Sequence, residues 1–237
     1  MADFTYVGTE LELFQHALRW KAYFARHLRP SIRGEVAEVG AGLGANTRLL
    51  LHEAVTHWTC IEPDATLAKQ LEATLAPERA SGRVSCVNGT LADVPATTLY
   101  DTLLYVDVLE HIEDDAAELS LAARHLKPGG TLIVLSPAHE FLFSPFDKAI
   151  GHHRRYDATS LRRVAPRGLT CVSVRYLDAV GLFASFANRL LLRQASPTPG
   201  QVDFWDSRLV PLSERVDALL GHRFGKTVVG VWTREST

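Results

Sequence analysis

The chain has few cysteines: three in 237 residues. Cys60, Cys86 and Cys171 stand far apart in apolar, strand-like runs. That spacing fits neither a disulfide framework nor a metal-ligand set, so buried thiols in a reducing compartment are expected. No apolar run reaches the length of about 18 residues that a membrane span needs, and no signal peptide is read at the start. A cytoplasmic location without membrane insertion is therefore expected. Neither sign of charge dominates: 25 Lys and Arg stand against 27 Asp and Glu, a net of −2. Without a basic bias, no nucleic-acid partner is expected. Internal repeats and low-complexity tracts are also missing. What remains is ordinary globular composition, 46% apolar and 22% charged. Its length suits one α/β domain over 1–237, as a monomer or a homodimer.

The most informative segment is Val36–Thr47, VAEVGAGLGANT. An apolar strand feeds a glycine-rich turn, and a helical pattern follows. Glycines permit positive φ and close approach of a ligand to the main chain. The helix N-terminus behind them offers unpaired N–H groups. A nucleotide-like cofactor is expected at the end of this first strand. Gly40, Gly42 and Ala45 satisfy the loose dinucleotide pattern, but three features point elsewhere. The glycines fall at Gly40, Gly42 and Gly44, with Glu38 two residues ahead. Glu62 ends the next apolar strand, in CIEPD, placed to accept ribose hydroxyls. Downstream come DTLLYVDVLEHI from Asp101 and LKPGGTLIVLS from Leu126.

With these residues, the chain resembles the class I S-adenosylmethionine-dependent methyltransferases. E-x-G-x-G-x-G is their first motif and the acid ending strand two their second. The D-V-L-E-H segment is similar to that of ubiquinone-type O-methyltransferases. The motifs cover residues 36 to 136. The resemblance implies a Rossmann-like, doubly wound sheet of seven strands. It is mostly parallel, with an antiparallel C-terminal strand inserted between two neighbours and helices on both faces. It also implies S-adenosylmethionine as cofactor, with S-adenosylhomocysteine as product. Glu38, Gly40, Ala41, Gly42, Gly44, Glu62, Pro63, Thr90, Leu91, Val106 and Asp107 are the expected cofactor residues. Alternating apolar strands and helices independently predict a parallel sheet with right-handed crossovers. Ligands of such sheets bind beyond the strands' carboxyl ends, where these residues fall.

Helices are expected at 8–28, 45–54, 65–75, 160–164, 181–192 and 210–220. Strands are expected at 36–39, 57–61, 83–87, 102–107, 131–135, 170–176 and 227–232. In the first helix, Leu11, Phe14, Leu18 and Ala22 share a face by spacing. Residues 194–211, with Pro197, Pro199 and Pro211, read as a long loop.

The acceptor is expected between an N-terminal helical cap, 1–30, and an irregular insert, 137–157. Such inserts are often lids. Phe141, Phe143 and Phe146 could wall a pocket there. Tyr6, Lys21, His139, Phe143, His152, Arg154 and Arg155 are the candidate substrate residues. The arginine forks match carboxylate or phosphonate oxygens, so the expected acceptor is an oxygen of a small anion. Methyl transfer is an in-line displacement that relies on alignment. It needs a base only where the acceptor must lose a proton, and His111 is then the candidate. Asp107, Glu110 and His111 also form D-x-x-E-H, related to a metal-binding E-x-x-E-H in some relatives. The shortened first acid argues against a divalent metal, and none is expected. Nitrogen or carbon acceptors, a metal-assisted catechol reaction, and a fold relative that only binds the cofactor stay open. A nicotinamide oxidoreductase would need a Tyr-x-x-x-Lys pair after strand five, which is missing.

Overall fold

A computed structural model describes residues 13, 14, 16–191 and 197–236. Seven strands form one sheet: β1 Gly34–Val39, β2 Val55–Glu62, β3 Val84–Asn88, β4 Tyr100–Val106, β5 Leu126–Pro137, β6 Leu169–Leu177 and β7 Thr227–Arg234. Their order is β3-β2-β1-β4-β5-β7-β6. β7 runs antiparallel to both β5 and β6, while the other pairings are parallel. This is the expected topology. The order reverses between β1 and β4, which opens a crevice at their carboxyl ends.

Strands β1, β2, β4 and β5 are buried over most of their length because helices cover both faces of the sheet. One face packs Trp20, Phe24, Leu28, Trp58, Leu104 and Ile133. The other packs Ala37, Leu103, Tyr105, Leu119, Tyr156 and Leu161. The helix Leu18–Leu28 buries Trp20, Tyr23, Phe24 and Leu28. Leu18, expected on the buried face, is exposed. The aromatics, which offer more area to bury, set the helix's rotation instead. Leu11 lies outside the described residues. Among the cysteines only Cys60 is fully buried; Cys171 is exposed. It sits on β6, an edge strand whose first half meets solvent.

Two further expectations are corrected. β5 begins at Leu126, so Lys127–Gly130 lies inside the strand rather than in a turn before it. The expected loop at 194–211 contains the helix Pro199–Phe204, a π-helical turn Trp205–Leu209 and the start of the helix Val210–Leu219. Pro199 and Pro211 sit in first turns, where the missing N–H costs nothing. Thr198 and Gln201 form a capping box ahead of Pro199. No helix among the described residues is long and apolar enough to cross a membrane.

Candidate active site

The glycine turn owes its shape to a few named contacts. Gly40, Gly42 and Gly44 all hold positive φ. A Cβ at Gly44 would lie 2.8 Å from Leu71 Cδ1, so this glycine lets the turn pack on the helix Ala65–Thr74. Gly44 does not line the chamber described below. Glu38 is fully buried beneath the turn. Its Oε2 accepts from Thr47 Oγ1 at 2.5 Å and from Trp58 Nε1 at 3.0 Å. Burial pushes its carboxyl up to about 7, against the pull of those two bonds. Glu38 therefore anchors the turn from below and does not line the chamber described next.

Glu62 ends β2 and faces the crevice. Gly42 N donates to its Oε2 at 2.8 Å and Asp64 N to its Oε1 at 3.0 Å. Burial raises its pKa, and the two backbone bonds oppose that. A carboxylate offers about four lone-pair sites, so each oxygen can accept one more donor, such as a ribose hydroxyl.

These groups open on a chamber of about 1680 Å³. Single-ligand pockets span about 300–1,000 Å³, so this chamber is larger than one small ligand needs. Of the candidate cofactor residues, Gly40, Ala41, Gly42, Glu62, Pro63, Val106 and Asp107 line it. Thr90 and Leu91 do not. Thr90 forms a capping box with Asp93, and Leu91 is in the core.

Of the candidate acceptor residues, Lys21, Phe143, His152 and Arg155 line the chamber, with His111. Tyr6 lies outside the described residues. His139 stacks on Tyr176 and Phe141, away from the chamber, and Phe141 is exposed. Arg154 turns outward: its guanidinium pairs with Asp115 at 2.6 Å and donates to Glu113 O. Arg155 is committed to Asp147, with Nε on Oδ1 at 2.9 Å and Nη2 on Oδ2 at 3.0 Å. This is the bidentate geometry in which guanidinium binds carboxylate best, so its charge is already satisfied inside the protein.

Asp147 is the hub of the insert. It also accepts from Ser144 N and Oγ, in a capping box, and meets His152 Nδ1 at 3.0 Å. Burial pushes its carboxyl up, but His152, Arg155 and Ser144 outweigh it and hold it at about 2. The ring of His152 meets His111 edge-on, centroids 4.5 Å apart. Burial, with His152 and His153 nearby, lowers His111 to about 4, so its imidazole is neutral near pH 7. Glu110 is fully buried; Ser136 Oγ donates to its Oε2 at 2.9 Å, and His152 Nε2 stands 3.9 Å from its Oε1. Burial, then Asp107, pushes Glu110 well up. Among the described residues, one ligand atom each from Glu110, His111 and His152 come within 4.8 Å of one another, a set that could hold a metal; Asp107 is not in it.

A buried network on the C-terminal side was not foreseen. Asp178 Oδ1 accepts from Gly181 N and Ser213 Oγ, and its Oδ2 from Trp205 Nε1 at 2.7 Å. Asp217 accepts from Tyr23 Oη, Asp178 N and Ala179 N. Lys226 reaches this network from the chamber wall. In the insert, S-P-F-D at Ser144–Asp147 was a readable capping-box signal. Asp178, Asp217 and Lys226 had no local signal.

Comparison with known proteins agrees with this geometry. Residues 37–134 match the Methyltransferase domain family. Over 109 residues the chain is 31% identical to a ubiquinone biosynthesis O-methyltransferase of Xylella fastidiosa, covering 45% of this chain and 43% of that one. The chain thus matches less than half the length of that relative. A geranyl diphosphate methyltransferase solved with S-adenosylmethionine superposes with a TM-score of 0.66 at 12% identity, over 96% of this chain and 90% of the other. SpnF, a 4+2 cyclase, superposes at 0.63 and 15% identity, over 98% and 96%. These two likenesses show the fold alone. Taken together, the findings place a match to the methyltransferase domain over residues 37–134 within a Rossmann-like fold shared with methyltransferase structures.

Proposed function

We propose that this chain transfers the methyl group of S-adenosylmethionine to an oxygen of a small molecule, with His111 as base where that oxygen carries a proton. The carrying observation is the juxtaposition in one chamber of the glycine turn with Glu62 and of a neutral imidazole. When bound, the cofactor supplies an electrophilic methyl on a sulfonium. Gly40, Ala41 and Gly42 offer the turn's backbone to its amino-acid end. Glu62 receives the ribose hydroxyls, and Pro63 and Val106 flank them. Lys21 and Asp107 sit near enough for their charges to interact, and both line the chamber. No phosphate needs neutralising, which suits a turn without a P-loop lysine.

His111 is suited to take a proton because burial keeps it neutral. Its contact with His152, which Asp147 holds, restricts the ring's movement. General-base catalysis contributes about 10²–10⁴-fold.

The test is S-adenosylhomocysteine release against carboxylates, phosphonates, phenols, catechols and amines, each with and without chelator. Turnover of oxygen acceptors is expected, indifferent to chelator. For a phenol or alcohol acceptor, His111→Asn should lower kcat at least about 10²-fold and leave cofactor affinity unchanged. Turnover of amines alone would overturn the oxygen assignment. Cofactor binding without release from any acceptor would favour a binding-only relative.

A further inference from the structure

Among the described residues, the Lys and Arg side chains that line the chamber are Lys21, Arg48, Arg155 and Lys226, and Arg154 lies in the insert beside it; Arg48 is paired with Glu78. Arg154 points away, Arg155 is forked onto Asp147, and Lys21 has the carboxylate of Asp107 in range. Lys226 differs from each of these. It precedes β7, beside the carboxyl end of β5, where Thr227 pairs with Pro137. Its ammonium lies over the ring of Trp205, with Nζ 3.7 Å from the centroid. Its ion pair among the described residues is with Asp178 Oδ2, at 3.5 Å. That is long for a charge-assisted bond, which runs about 2.7–2.9 Å.

Asp178 has little more to give. Its two oxygens already accept from Gly181 N at 2.9 Å, Ser213 Oγ at 2.5 Å and Trp205 Nε1 at 2.7 Å. With Lys226 as a fourth donor, the roughly four sites of a carboxylate are filled. An ammonium has three N–H donors. One long contact and one aromatic face leave donor capacity toward the chamber, which Lys226 lines together with Trp205, Val202, Phe204 and Ala184.

We infer that Lys226 is the anion-binding residue of the acceptor site. It holds a carboxylate or phosphonate of an acceptor whose apolar body lies against Trp205 and Phe204. This rests on the reading of the chamber as a methyl-transfer site. Desolvation disfavours the ammonium and Arg155 adds to that, while Asp178 and Asp107 oppose it. An arriving anion supplies the counter-charge that Asp178 is too far away to provide fully. Lys226 and Asp107 line the same chamber.

The test is calorimetric titration of the protein loaded with S-adenosylhomocysteine, using phenylphosphonate and benzoate against neutral dimethyl phenylphosphonate and benzamide. The wild type should prefer each anion to its neutral partner by about tenfold or more. Lys226→Met, which keeps an unbranched apolar side chain without the charge, should abolish that preference with S-adenosylhomocysteine affinity unchanged. Lys226→Arg should keep it. A wild type without preference overturns the inference, and so does a Lys226→Met that retains it. Weaker S-adenosylhomocysteine binding in Lys226→Met would assign the lysine to the cofactor instead, which also overturns it. If Lys226→Met does not fold, the wild-type comparison and Lys226→Arg still decide. Failure of the wild type to bind S-adenosylhomocysteine would sink the methyltransferase reading itself.

Discussion

On the β1 side of the chamber, polar partners are sequence neighbours. Gly42 meets Glu62 twenty positions on, Glu62 meets Asp64, and Glu38 meets Thr47 and Trp58. On the β5 and β7 side, partners come from far along the chain. Tyr23 donates to Asp217, 194 positions away, and Asp178 gathers Trp205, Ser213 and Lys226. The first side is one strand-turn-strand unit that can hold its shape through local geometry. The second exists only when the C-terminal third has packed back over the sheet. A cofactor common to many enzymes can be served by a fixed local unit, whereas an acceptor pocket can vary through residues scattered along the chain.

Substitutions on each side should separate these two modes. The largest effect is expected from Glu62→Ala, which leaves Gly42 N and Asp64 N without their acceptor and removes the ribose partner. Calorimetry should show cofactor affinity reduced by roughly 10²-fold or more, while an acceptor analogue still binds. Equal loss of both would mean that the sides are not independent. Asp147→Asn comes next, since it strips Arg155 and His152 of their anion. A loss of about 3 kcal/mol of unfolding free energy at pH 7 is expected by denaturant titration. The folded Asp147 carboxyl is depressed to about 2 from 3.8. Its contribution is therefore present above about pH 4 and lost as pH falls toward 2, by about 2 kcal/mol. The gap between wild type and variant should narrow over that window. A gap that stays constant down to pH 2 would break the assignment of charge to this site. The smallest effect belongs to Arg154→Ala: its pair with Asp115 is partly exposed, worth about 0–1 kcal/mol. Acceptor KM should not move, and a rise would return Arg154 to the acceptor site.

The same contrast explains what was legible in the sequence. The strands, the glycine turn and Glu62 follow from periodicity and contiguous residue types, and the seven-stranded order followed from resemblance. Within that motif, sequence could not separate Glu38 and Gly44, which build the turn from behind, from Gly40 and Gly42, which face the chamber. That distinction depends on Leu71, Leu75 and Trp58 packing against the turn from other elements. Arg154 and Arg155 are adjacent and chemically identical, yet one faces Asp115 outside and the other Asp147 beneath the chamber. Lys226 stood in an unremarkable turn, and only folding brings it to Trp205 and Asp178.

The helix Leu18–Leu28 has no capping side chain at Ala17. The N–H groups of Arg19 and Trp20 are accepted instead by Asp206, 187 and 186 positions later. A ribosome adding about 5–20 residues per second needs roughly 10–40 s to make that acceptor after the helix has emerged. The first turn of this helix thus has its partner only near the end of synthesis. The wall carrying Trp20 and Lys21 is completed last, over a β1 unit that needs none of those late residues.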